Sequence, residues 1–153
     1  MKNCKKIMSA TLLVAAGYAG LATAHTQSGT LGSAASAAAA TDVYAVTCSN
    51  DGSGPPAKLF LQVQDLPPKL PTVLVGIQAT KGVVASTQSI DTVDGDGVYS
   101  KGVTLSGGAG VYSLKVNKFA STVKGAETYV AQFHCQTAAG VHTGTTWVMT
   151  QNQ

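Results

Sequence analysis

From Asp42 onward the chain alternates apolar and polar positions in short runs, and Gly, Pro, Asp and Asn interrupt the runs. Successive side chains of a strand point to opposite faces, so period-two alternation predicts half-buried β-strands. Strands are expected at 42–49, 57–64, 72–79, 82–88, 97–105, 110–117, 127–136 and 142–150. Asn50-Asp51-Gly52, Pro67-Pro68, Asp94-Gly95-Asp96-Gly97 and Gly107-Gly108 supply turns between them. About eight short strands at even spacing, with no convincing helix and no obvious repeat, predict an all-β fold. The expected architecture is a single β-sandwich, jelly-roll or Ig-like.

The same parity assigns faces. Over 127–136, Tyr129, Ala131, Phe133 and Cys135 share one face, and Val130, Gln132 and His134 share the other. Over 42–49, Tyr44, Val46 and Cys48 fall together. Both cysteines therefore lie on apolar faces, which predicts a Cys48–Cys135 disulfide across the core. In the last strand Thr145, Trp147 and Met149 share a face. Trp147 is expected inside, beside Phe133, rather than outside as a sugar-stacking platform.

The segment ahead of Asp42 reads differently. A basic stretch, Met1-Lys2-Asn3-Cys4-Lys5-Lys6, precedes an apolar run from Ile7 to about Leu21 and the small-residue site Ala22-Thr23-Ala24. This is the pattern of a cleavable signal peptide over 1–24. The run is too rich in Ala and Gly to be expected to remain as a membrane span. Residues 25–41 are mostly Ser, Gly, Thr and Ala and are expected to form a flexible leader, with the β-sandwich domain at 42–153. The product would be periplasmic or secreted, and an even pair of cysteines suits that oxidising setting.

Removing residues 1–24 also changes the charge. The full chain carries +3, but Lys2, Lys5 and Lys6 leave with the signal. Seven lysines then face seven acids, and there is no arginine. Nucleic acid is therefore not an expected partner, because a phosphate-tracking surface needs clustered Lys and Arg.

Asp42-Val43-Tyr44, Leu59-Phe60-Leu61-Gln62-Val63, Gly110-Val111-Tyr112-Ser113-Leu114-Lys115-Val116 and Glu127-Thr128-Tyr129-Val130 occur in an order that resembles the bacterial pre-peptidase C-terminal domain. The resemblance covers roughly residues 42–135 and implies a small jelly-roll-like sandwich acting as an accessory module of secreted proteins. It transfers no functional residue. The disulfide and the Trp147 hairpin lie outside that pattern.

Three histidines remain after signal removal: His25, His134 and His142. Cleavage after Ala24 would make His25 the first residue and offer its α-amine and imidazole together, a chelate suited to copper. In starting this way the chain loosely resembles periplasmic copper carriers. If Ala138-Ala139-Gly140 forms a three-residue loop, Thr137 pairs with Val141 and His142 faces Gln136. His134 then lies diagonally across on the same face, within reach of a shared metal. Asp91, Asp94 and Asp96 form a second candidate cluster, for calcium. They do not make an EF-hand loop, because alignment on Gly97 puts Val103 where the bidentate glutamate belongs. Catalytic signatures are missing: there is no G-x-S-x-G, and the one S-x-x-K, Ser121 to Lys124, lies in a polar connection. The expected function is a non-enzymatic exported binding module with copper at His25, His134 and His142. The alternative is a structural or adhesive surface subunit that self-associates through its N-terminal arm.

Overall fold

The computed structural model describes residues 25–33, 39–68, 70, 72–119 and 123–153; the expected signal peptide lies outside them. Among the described residues there is no helix, and none is long and apolar enough to cross a membrane. Ten strands form: β1 (His25–Leu31), β2 (Thr41–Ser49), β3 (Lys58–Leu66), β4 (Val75–Lys81), β5 (Val84–Ala85), β6 (Ser89–Ile90), β7 (Val103–Ser106), β8 (Gly110–Lys118), β9 (Glu127–Gln136) and β10 (Gly144–Gln151). They build two antiparallel sheets. One runs β1-β9-β3-β7; the other runs β10-β2-β8-β4-β5, with β6 also paired to β4.

The alternation seen in sequence is the alternation of burial. Tyr44, Val46 and Cys48 of β2 and Tyr112, Leu114 and Val116 of β8 face inward from one sheet. Leu59, Leu61 and Val63 of β3 and Tyr129, Ala131, Phe133 and Cys135 of β9 face inward from the other. These positions form one hydrophobic core. Cys48 and Cys135 are joined, with Cα atoms 5.5 Å apart, and the bond links β2 to β9 across the two sheets. Trp147 packs edge-on against Tyr44 at 5.7 Å and Phe133 at 6.3 Å between ring centroids. It is only partly buried because β10 is an edge strand.

Three expectations about segments change: the strand expected at 97–105 forms only from Val103, as β7, and residues 97–102 lie outside any strand. The strand expected at 82–88 is interrupted. β5 pairs with β4 at Thr80↔Ala85 and Lys81↔Val84, and then the Ser86 hydroxyl accepts from the Ala79 amide at 3.1 Å in place of a ladder bond. β6 resumes pairing at Ile77↔Ser89. The leader expected at 25–41 begins as β1, paired to β9 from His25↔Phe133 to Leu31↔Glu127. The segment has little bulk to bury, which is why composition alone suggests a free arm. Its gain lies elsewhere: it satisfies the backbone donors and acceptors along the edge of β9. Leu31 is its one large apolar anchor and is fully buried.

Gly29 explains part of how β1 fits. A Cβ at this position would lie 2.3 Å from the Tyr129 hydroxyl oxygen. That hydroxyl donates to Asp42 Oδ2 at 2.6 Å and meets the Tyr44 hydroxyl, all inside the core. We expect Gly29→Val to lower stability by about 1–3 kcal/mol, the cost of overpacking a filled interior. Urea denaturation measures it, and an unchanged midpoint would mean that β1 contributes nothing to the fold.

Candidate metal centres

The strand β9 carries a candidate site at each end. His134 lies seven steps along the strand from Glu127, which places the two ends roughly 23 Å apart at the rise of an extended strand.

At the C-terminal end of β9 the chain turns back through Ala138-Ala139-Gly140. Thr137 N donates to Val141 O at 2.8 Å, Gly140 N donates to Thr137 O at 3.0 Å, and Gly140 has φ +84°. That left-handed residue is what closes a three-residue loop of this kind. The turn creates a bridge between Gln136 and His142. His134 and His142 then come into contact, with ring centroids 3.8 Å apart. Phe60 also stacks on His134, at 4.8 Å between centroids, because β3 and β9 pair Phe60 with His134. His25 reaches the same end through its pairing with Phe133.

His134 is 7 % exposed, and burial pushes its pKa down to about 4; the charges of His142 and His25 act in the same direction. It is therefore neutral at physiological pH. The Nδ1 atoms of His25, His134 and His142 are all buried and without a hydrogen-bond partner. The Gln136 side-chain amide lies 3.0 Å from His134 Nε2. With its nitrogen presented, the amide donates to Nε2 and the ring proton sits on Nδ1. With its oxygen presented, it accepts the proton from Nε2 and leaves the Nδ1 lone pair free.

The N-terminal end of β9 is built from acids. Glu127 on β9 and Asp65 on β3 both occupy inward positions, and both are fully buried. They are diagonal neighbours, since Asp65 pairs with Tyr129. The turn after β6 brings Asp94 over them. Potential ligand atoms of Asp65, Asp94 and Glu127 all lie within 4.8 Å of one another, the one set of three of that size among the described residues. The three histidines are not drawn together to that extent: His134 and His142 are in contact, whereas His25, opposite the inward Phe133, leaves its strand on the other face.

Neither carboxylate oxygen of Glu127 makes a hydrogen bond of normal geometry, although the Leu70 amide lies near enough to favour its charge; Asp65 Oδ1 has no partner, and Asp65 Oδ2 accepts from the Val75 amide at 3.1 Å. Burial raises the Asp65 pKa to about 7, with Glu127, Asp94 and Asp91 adding repulsion. Burial likewise raises Glu127 to about 7, with repulsion from Asp94, while the Leu70 amide and the Lys118 ammonium draw it partly back.

No family model, curated protein or solved structure matches this chain.

Of the acids singled out in sequence, Asp94 enters the cluster, whereas Asp91 and Asp96 bind backbone. Asp91 Oδ2 accepts from Asp65 N at 2.8 Å and its Oδ1 from Val93 N at 3.2 Å; Asp96 Oδ1 accepts from Val98 N at 2.7 Å. These two aspartates shape the turn that delivers Asp94. Sequence reasoning missed Asp65 and Glu127. A signal for both was available: each continues the apolar face of its strand, Asp65 after Leu59, Leu61 and Val63, and Glu127 ahead of Tyr129 and Ala131. An acid on an inward parity position is informative in a way that a solvated one is not. Phe60 and Gln136, which flank His134, were also missed.

Proposed function

We propose that this protein is an exported, non-enzymatic metal-binding module that holds a transition metal, copper foremost, at the histidine end of the sandwich. One observation carries the reading. His134 and His142 meet at one end of β9, the charge of His25 acts on His134 there, and each of the three has a buried Nδ1 that nothing satisfies. A buried polar atom without a partner is unfavourable, and a metal ion coordinated there removes that cost. Imidazole nitrogen suits copper, zinc and nickel better than hard ions.

The surroundings support the same chemistry. His134 is held neutral, so protons compete weakly for its lone pair. Rotation of the Gln136 amide to accept from Nε2–H selects the tautomer that coordinates through Nδ1, the outer-shell arrangement usual for ligating histidines. If processing leaves His25 first, its α-amine adds a fourth nitrogen donor. A periplasmic or extracellular location fits the disulfide.

The test is calorimetric titration of the processed protein with copper(II). His134→Asn and His142→Ala are each expected to weaken binding at least about tenfold, and an extra residue ahead of His25 should weaken it comparably. Equal affinity in all four proteins would remove the histidines from any metal site.

A further inference from the structure

We propose that Asp65, Asp94 and Glu127 form a separate site for a hard divalent cation of the calcium class, which fastens the turn around residue 94 to β3 and β9. The inference stands independently of the histidine site at the other end of β9.

Glu127 points to a ligand most directly. It sits on an inward position with no solvent exposure, its carboxylate oxygens make no hydrogen bond of normal geometry beyond the pull of the nearby Leu70 amide, and it is aimed at Asp65 and Asp94. Lys118 is the nearby cation, but its ammonium is engaged with the Gly125 carbonyl at 2.6 Å. Asp65 contributes a second buried carboxylate whose Oδ1 is unsatisfied.

The spacing suits one ion. Oxygens at 2.3–2.6 Å from a calcium ion can lie at most about 4.6–5.2 Å apart on opposite sides of it. The cluster falls within that diameter at 4.8 Å. The donors are all carboxylate oxygens, with no nitrogen or sulfur to favour copper or zinc. A divalent ion would offset most of the negative charge gathered by Asp65, Asp94, Glu127 and the adjacent Asp91.

The loop is built to present Asp94. Asp91 ties the start of the turn to the Asp65 amide at 2.8 Å, and Gly95 N donates to Asp65 O at 3.1 Å. Asp65 is thus both ligand and anchor, and its backbone holds the turn that carries the third carboxylate.

The experiment uses chelator-treated protein titrated with calcium chloride, then with magnesium chloride, followed by calorimetry and thermal denaturation. One equivalent of calcium should bind saturably and raise the Tm, with magnesium weaker. Glu127→Gln, Asp65→Asn and Asp94→Asn should each weaken calcium binding at least about tenfold and abolish the Tm rise. Asp94, which is only half-buried, supplies the variant least exposed to folding effects. Copper binding at the histidine end should be unchanged in all three. Absence of saturable calcium binding at millimolar concentration, or equal binding by wild type and Asp94→Asn, overturns the proposal.

Discussion

Cys135→Ala, or reduction of the oxidised protein, is expected to lower stability by about 4–5 kcal/mol in the chain-entropy account of cross-linking. The bond joins positions 87 residues apart, so opening it releases most of the structured chain in the unfolded ensemble. The linked residues lie on β2 and β9, an interior strand of each sheet, and both cysteines are buried. The effect should appear in urea denaturation as a lower midpoint together with a larger m-value, because the reduced unfolded chain exposes more surface. A loss below about 1 kcal/mol would mean that the reduced unfolded chain is already compact.

The second large effect is pH dependence in the metal-free protein. Asp65 and Glu127 rise from their ordinary values of 3.8 and 4.5 to about 7 in the fold. Between those limits the folded state keeps protons that the unfolded chain has released. Stability is therefore full below about pH 4 for these groups and is lost as pH rises through 7. His134 works in the opposite sense: its folded pKa of about 4 makes its contribution complete above 6.5 and lost as pH falls toward 4. The net fall should be steepest near pH 6.5.

The two acids repel each other and do not titrate independently, so their shifts cannot simply be added. A net loss of about 2–4 kcal/mol between pH 5 and pH 8 is expected. Urea midpoints in metal-free buffers measure it, and Glu127→Gln should flatten the profile. Saturating calcium should do the same by occupying the ionised carboxylates. A metal-free protein that gains stability over this interval would show that the buried acids are already compensated.

Much of the fold was legible because parity along a strand is a local property. The Tyr129-to-Cys135 and Tyr44-to-Cys48 alternations give the core faces and the disulfide without any knowledge of the sheets. Gly140 gives the hairpin that joins His134 to His142. What depends on pairing between distant strands was not legible. Phe60 stacks on His134 only because β3 and β9 adopt the register that sets them opposite. The acidic cluster is hidden for a related reason: neighbouring aspartates suggest a calcium loop, whereas two of the cluster's three carboxylates come from separate strands. β1 was misread because backbone pairing, which leaves almost no compositional trace, outweighs its lack of bulk.

The position of β1 has a consequence for the order in which the molecule can assemble. Among the described strands β1 pairs only with β9, about a hundred residues later in the chain, and so must wait until β9 has been made. Until β1 arrives, one side of β9 stays open to any extended segment, including the same segment of another molecule. How crowded the compartment is during that interval decides whether each chain completes its own sheet or a neighbour's.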